Sequence, residues 1–180
     1  ALKTFQLIQE GTEARFYIDE VLMGSDKTVI GVTSLVEGQI LLDPANPGSV
    51  QLTPIRIDAR DLTTDSNQRN GAIRRFVLQS NQEQYQYIIF EPTAINGLPA
   101  TVELGQPFTF AVTGQLTIRD ITREETFQLS VTATSETEVV GIGATTILRD
   151  NYALTIPSVP SVANVSEEVK LEIEFVAAAS

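Results

Sequence analysis

The chain has 180 residues, a formal net charge of −11 and a pI near 4.4, and its length predicts one domain over residues 1–180. Hydrophobic residues make up 42% of the chain and charged residues 19%, which excludes a globally disordered chain. Cysteine and histidine are absent, so disulfides, thiolate chemistry and the usual catalytic triads are excluded, and we expect no metal or cofactor. Because so acidic a surface repels phosphate backbones, we also expect no nucleic-acid partner.

The sequence begins Ala1-Leu2-Lys3, without a methionine or a signal peptide, and we therefore expect a trimmed or mature form. No apolar run approaches the roughly 20 residues that span a bilayer as a helix, so we expect no stable membrane span in this fragment. Valine, isoleucine and threonine are abundant, which favours strands over helices.

Alternation of apolar and polar residues predicts the first strands. Ala14, Phe16 and Ile18 share one face of a strand, and the alternation slips at Glu20–Val21 as it does at a β-bulge. A second strand is predicted over residues 29–42.

The next strand is predicted to be irregular. A loop is expected at Asp43–Pro44, and the phase of the alternation changes between Leu52 and the pair Ile55 and Ile57. Proline cannot donate to a β-ladder, so Pro54 predicts an edge or a bulge between them.

One segment lacks the alternation and predicts a short helix over residues 65–79. Ile73, Phe76 and Val77 lie at positions i, i+3 and i+4, as on one face of a helix. The N-cap is predicted at the first or second residue of this segment.

Five further strands are predicted over residues 87–95, 108–118, 127–133, 138–148 and 169–175. The polar segment 119–125 is predicted to be the connection of a long hairpin. Gly141 and Gly143 predict a sharp bend or a close approach of the backbone. Residues 156–166, which contain two prolines, predict a long loop.

Together these elements predict an all-β fold. About eight strands and one helix form either a sandwich or a closed barrel. The length and evenness of the strands favour the barrel, because closure removes exposed strand edges.

Positive charge is concentrated in the predicted helix, at Arg69, Arg74 and Arg75. Guanidinium groups bind phosphates and carboxylates, so this cluster is a candidate site for an anionic head group. Three aspartates precede it in the sequence: Asp58, Asp61 and Asp65. Ion pairing with these aspartates is the alternative interpretation of the cluster. The aspartates lack the ligand spacing of a calcium loop, and a solvated loop is the favoured interpretation of them.

Most phenylalanines fall on the apolar faces of predicted strands. They are Phe16, Phe90, Phe108, Phe110, Phe127 and Phe175. From the pattern alone these rings either fill a core or line the cavity of a barrel, and core filling is the more common outcome.

Four segments, in order along nearly the whole chain, are similar to one family: residues 32–43 (VTSLVEGQILLD), 62–90 (LTTDSNQRNGAIRRFVLQSNQEQYQYIIF), 112–129 (VTGQLTIRDITREETFQL) and 145–155 (TTILRDNYALT). Their order and spacing resemble the YceI-like family of extracytoplasmic lipid-binding proteins. The chain departs from that family at three places. Residues 18–20 replace a segment that often contains histidine, Gln86 replaces a proline, and Tyr152–Ala153 replaces Phe-Gly.

The resemblance implies an eight-stranded antiparallel lipocalin-like barrel with one short helix near its mouth, around an apolar lumen. It favours the cavity interpretation of the inward side chains. The lumen is then predicted to be lined by Phe16, Ile18, Ile55, Ile57, Phe76, Phe90, Phe108, Phe110, Val112, Leu129, Val131, Leu171, Ile173 and Phe175. Polar mouth residues are predicted at Arg69, Arg74 and Tyr85.

The expected function is non-enzymatic binding, sequestration or transport of a long lipid outside the cytoplasm, in a periplasmic, secreted or anchored protein. The resemblance implies an isoprenoid quinone, a polyprenyl chain or a fatty-acyl chain as ligand. One alternative stays open: an interaction module of the cell envelope, a barrel or sandwich with a side-chain-filled core and no ligand. An enzyme acting on the lipid ranks last, because the chain lacks histidine and cysteine. Pairing of outer strands into a homodimer also stays open.

Overall fold

The computed structural model describes residues 2–43 and 45–179, and these form an all-β fold with one short α-helix. The strands are β1 (Lys3–Leu7), β2 (Glu13–Leu22), β3 (Ser25–Thr33), β4 (Val36–Glu37), β5 (Gln39–Leu42), β6 (Gln51–Leu52), β7 (Ile55–Asp58), β8 (Tyr87–Asn96), β9 (Phe108–Ile118), β10 (Ile121–Ser135), β11 (Glu138–Leu148), β12 (Val162–Ala163) and β13 (Glu168–Ala179). In the predicted loop at Asp43–Pro44, Pro44 lies outside the described residues. None of the helices in the described ranges is long and apolar enough to cross a membrane.

All the strands pair antiparallel in one sheet that curls into a barrel. Several short strands are parts of longer ones: β1 and β2 follow the same edge of β13, β3 to β5 are separated only by bends, and β6 leads into β7. Counted in this way, eight long strands pair in a cyclic order, and the predicted eight-stranded barrel is confirmed in outline. The short β12 pairs with the outer end of β2.

The strand predicted over residues 29–42 is interrupted twice, after Thr33 and at Gly38. These interruptions turn the chain so that β3 pairs with β2, β4 with β7, and β5 with β1. Likewise, Thr53–Pro54 separates β6 from β7, as the phase change predicts. Such bends let a long strand follow the curvature of a barrel.

The bulge predicted at Glu20–Val21 is wrong. The pairing of β2 with β3 runs without a register shift from Ala14↔Thr33 to Leu22↔Ser25. The alternation does not slip, because Glu20 occupies an inward position like Ile18 before it, and its carboxylate is paired there with an arginine. A charged residue on the inner face of β2 therefore made the apolar–polar alternation of the sequence look shifted by one residue.

The connection predicted over residues 119–125 is also too long. The turn consists of Arg119 and Asp120 alone, and β10 already begins at Ile121. The start of β10 lacks apolar alternation because its polar side chains contact the turn at Arg149–Tyr152: the Arg123 Nε–H donates to the Asn151 carbonyl over 3.0 Å.

The predicted helix consists of α1 (Asn67–Ala72) and a π-helical turn (Ile73–Val77) that continues it. Ser66 is the N-cap, and its hydroxyl oxygen accepts a hydrogen bond from the Arg69 N–H over 3.2 Å. Ile73 and Val77 are buried in the main hydrophobic cluster, so this segment packs over one end of the barrel.

Candidate functional site

The barrel encloses a cavity of about 970 Å³, at the upper end of the usual size of ligand pockets. Its wall is mostly apolar. All fourteen side chains predicted to line a lumen lie on this wall: Phe16, Ile18, Ile55, Ile57, Phe76, Phe90, Phe108, Phe110, Val112, Leu129, Val131, Leu171, Ile173 and Phe175. That these residues contact a ligand stays a prediction.

Inward glycines give the aromatic rings room at the wall. The Phe175 ring lies beside Gly141, where an added Cβ would be 2.7 Å from the ring. The Phe16 ring lies in the same way against Gly31 of the neighbouring strand. The close approach at Gly141 is therefore that of a ring and not of another backbone, and β11 pairs with β13 there in unbroken register. Rings that lie along the wall leave the centre of the barrel open.

The mouth of the cavity lies where α1, the β2–β3 hairpin and the segment before β12 meet. Phe76 and Val159 both line the cavity and are 58% and 42% exposed, so the cavity reaches the surface beside them. Of the three apolar residues in the predicted helical pattern, Ile73 and Val77 are thus buried, and Phe76 lies at the mouth.

Four charged side chains form an ion-pair network at the mouth, which we call the mouth network: Glu20, Lys27, Asp65 and Arg69. The Arg69 Nη2–H donates to Glu20 Oε1 over 2.8 Å, and its Nη1–H donates to Asp65 Oδ1 over 2.9 Å. The Lys27 ammonium donates to Asp65 Oδ2 over 2.7 Å and lowers the pKa of that carboxyl. The network ties α1 to the β2–β3 hairpin, and all four residues line the cavity.

Glu20 is the buried member of the mouth network. It is only 8% exposed, and burying a carboxylate costs free energy unless a charged partner compensates it. Arg69, 49 residues further along the chain, is that partner. Sequence reasoning missed Glu20 as a site residue. Continuing the inward positions Ala14, Phe16 and Ile18 by two residues would have found it.

The other two polar residues predicted at the mouth lie elsewhere. Arg74 donates from Nε to the Arg60 carbonyl over 2.8 Å, and it is not on the cavity wall. Tyr85 is half-buried and also lies off that wall. Arg74 therefore holds the helix to the preceding turn.

The three aspartates near the arginine cluster have separate structural roles. The Asp58 carboxylate accepts from the Arg60 N–H and caps a turn, and Asp61 accepts from the Thr33 hydroxyl. Asp65 alone pairs with the cluster, through Arg69. The ion-pairing interpretation therefore holds for Arg69 and Asp65 only.

A second polar group lies at the end of the barrel that the Arg149–Tyr152 turn covers. Tyr152 is fully buried, and its hydroxyl donates to Glu125 Oε2 over 3.3 Å. Burial raises the pKa of Glu125, and burial together with Glu125 raises that of Tyr152. The Arg149 guanidinium donates to the carbonyls of Leu154, Val165 and Ser166, which fixes the loop before β13.

Another ion-pair group lies between β2 and β13. Arg15 donates to Glu172 Oε1 over 3.0 Å, and the Tyr17 hydroxyl donates to the same oxygen over 2.9 Å. Burial opposes ionisation of Glu172, but hydrogen bonds from Tyr17, Lys170 and Arg15 outweigh it, and the pKa of Glu172 lies below its usual range. This group joins the two strands where they form the barrel wall.

Several solved structures share this fold. A polyisoprenoid binding domain from Saccharophagus degradans, described as implicated in plant cell wall breakdown, matches with a TM-score of 0.72 at 15% identity over 100% of both chains. BcnA from Burkholderia cenocepacia matches with a TM-score of 0.71 at 19% identity, over 94% of this chain and 98% of that one. The Campylobacter jejuni YCEI protein matches with a TM-score of 0.62 at 18% identity over 81% of both chains.

Comparison with curated proteins gives no match. The family model of the YceI-like domain, however, matches residues 5–177, nearly the whole chain. This confirms the resemblance carried by the four sequence segments. The chain belongs to the family of YceI-like domains.

Proposed function

We propose that this protein binds a long apolar lipid in the barrel lumen and sequesters or transports it without chemical change. The observation that carries the proposal is the cavity of about 970 Å³ with its apolar wall. The alternative of a side-chain-filled interaction module does not predict such a cavity. The proposed ligand is an isoprenoid quinone, a polyprenyl chain or a fatty-acyl chain, and a fold relative described as a polyisoprenoid binding domain supports the first two.

Hydrophobic burial supplies the affinity. Each buried methylene contributes about 0.8 kcal/mol before ordering costs. Roughly ten such groups contribute about 8 kcal/mol, which corresponds to a Kd near 1 μM if ordering costs are small. A longer chain in the lumen offsets those costs and gives tighter binding.

The residues around the cavity support binding over catalysis. The chain has no histidine or cysteine, and the carboxylates of the mouth network, Glu20 and Asp65, are held in ion pairs. Tyr152 is the buried last residue of the covering turn and is not on the cavity wall. Our proposal places the protein outside the cytoplasm, as the family resemblance suggests, and the absence of cysteine is compatible with that location. Homodimer formation stays a prediction.

Native mass spectrometry of the protein purified from its own host tests the proposal. We expect one bound lipid per chain, which organic extraction removes and added lipid restores. Repeated recovery without lipid, together with no fluorescence gain from an apolar probe, would contradict lipid binding.

A matched pair of variants locates the ligand. Leu129 lies on the cavity wall, whereas Ser130, the next residue of the same strand, is not part of it. Leu129→Trp should reduce the amount of bound lipid, because the indole occupies the lumen, while Ser130→Trp should leave it unchanged. Equal lipid content in both variants would place the ligand outside the barrel.

A further inference from the structure

The charges on the cavity wall are almost all compensated within the protein. Of the charged residues that line the cavity, Arg75 alone has no ion-pair partner among the residues described. Arg75 is exposed. An anionic head group entering the lumen therefore finds no free cation on the buried part of the wall among residues 2–43 and 45–179.

In the mouth network, two positive charges meet two negative ones. Lys27 pairs with Asp65, and Arg69 uses both terminal nitrogens, one on Asp65 and one on Glu20. A guanidinium that already binds two carboxylates has its positive charge compensated, which weakens its attraction for a further phosphate or carboxylate. An anion at Arg69 would have to bind beside two carboxylates that are already in place.

Glu20 adds a repulsive element. Its carboxylate is buried and lines the cavity, where low polarity and distance from water strengthen its repulsion of another anion. Its Oε1 accepts from Arg69, and no described residue donates to its Oε2. A hydroxyl or amide N–H of an uncharged head group could donate to that oxygen.

We infer that the mouth selects lipids whose head groups are uncharged and donate a hydrogen bond, and that Glu20 sets this selectivity. The inference rests on the proposed lipid-binding function and narrows the ligands of the same cavity: a polyprenyl alcohol fits it, whereas the ring oxygens of a quinone accept hydrogen bonds and donate none. It assigns Arg69 of α1 to a structural ion pair and not to the binding of an anionic head group.

The test compares two ligands that differ only at the head: a polyprenol and the polyprenyl phosphate of the same chain length. Both compete with a fluorescent apolar probe at low ionic strength. We expect the wild-type protein to bind the alcohol at least about tenfold more tightly, which corresponds to roughly 1.4 kcal/mol. Added salt should narrow the difference, because screening weakens the repulsion.

Glu20→Gln removes the negative charge and keeps an amide oxygen that can accept from Arg69. It should raise the affinity for the phosphate about tenfold and change that for the alcohol less than threefold. Asp65→Asn, at the exposed side of the network, should shift the preference in the same direction. It serves as the second variant if Glu20→Gln does not fold. Glu124→Gln, which removes an exposed carboxylate that is not on the cavity wall, is the control and should leave the ratio of the two affinities unchanged. Arg75→Gln should not abolish phosphate binding.

Three results would overturn the inference. The first is that the wild-type protein binds the phosphate as tightly as the alcohol. The second such result is that neither Glu20→Gln nor Asp65→Asn changes the ratio of the two affinities. The third is that Arg75→Gln abolishes binding of the phosphate but not of the alcohol. Failure of the wild-type protein to bind either ligand would instead refute the proposed function and the inference with it.

Discussion

Gly114 is the position where a single methyl group should do the most damage. It lies on the inner face of β9, opposite Pro92 of β8, where the register of the two strands shifts. A Cβ added there would lie 2.7 Å from the Phe90 ring and 2.9 Å from the Pro92 Cα, and it would also meet the Glu91 carbonyl oxygen. Two of these three neighbours are backbone atoms, which cannot rotate away.

The cost of Gly114→Ala follows from that geometry. Forcing an extra carbon into a packed site costs about 1–3 kcal/mol, and rigid backbone neighbours place this site at the upper end. In a chain of this size, 1 kcal/mol shifts the melting temperature by about 2–4 °C. We therefore expect a loss of about 3 kcal/mol, seen as a fall in Tm of about 6–12 °C.

Two further glycines provide the comparison. At Gly31 the three atoms nearest to an added Cβ all belong to the Phe16 ring, which can turn into the open lumen. The stability cost of Gly31→Ala should therefore be smaller, while lipid capacity falls. Gly71 lies inside α1 with nothing within 4 Å of an added Cβ, so Gly71→Ala should stabilise the protein by up to about 1 kcal/mol.

Urea denaturation and thermal melting of the three variants test this order of stability. Gly114→Ala should be the least stable and Gly71→Ala the most stable. If Gly114→Ala lay within about 0.5 kcal/mol of the wild-type protein, the argument from backbone contact would be refuted.

Three other predictions concern single side chains. Ser66→Ala removes the N-cap of α1 and should cost about 1 kcal/mol in urea denaturation; an unchanged midpoint would mean that the cap contributes nothing. The pKa of Glu125 is raised by burial, so its ionisation lowers the stability of the fold as the pH rises above about 4.5. Glu125→Gln should therefore be more stable than the wild-type protein at pH 7 and lose that advantage at pH 4. Urea midpoints of both proteins at the two pH values test this. Glu172 has a lowered pKa, so its contribution is complete above about pH 4.5 and is lost as the pH falls through its folded-state value. Glu172→Gln should accordingly be less stable than the wild-type protein at pH 7, and a deficit that did not shrink in acid would contradict the ion-pair account.

Much of the wall of the barrel was predictable because side-chain direction in a strand is a local property. Alternation in β9 and β13 assigned Phe108, Phe110, Leu171 and Ile173 to one face, and all four line the cavity. Where inward positions carry polar residues, the apolar–polar alternation did not predict the strand. Glu125 on β10 is one such position, and that part of the strand was predicted as loop.

In the helix, too, the sequence predicted local features but not the partners of the charged side chains. Ser66 is one of the two residues predicted as N-cap, because a cap is recognised from neighbouring residues alone. The roles of Arg69 and Arg74 were not predictable in this way. Arg69 is paired with Glu20 on a distant strand, and Arg74 donates to the backbone of Arg60.

The amino-acid sequence by itself determined the all-β class, the inner faces of the main strands and the family, because each depends on the order of residues along short segments. The tertiary structure alone decided that the inner faces enclose open space and do not fill it, since the volume left over depends on how all the strands curve together. It also decided which charges meet at the mouth. The contact between Glu20 and Arg69 joins residues 49 positions apart, and only closure of the barrel under the helix brings them together.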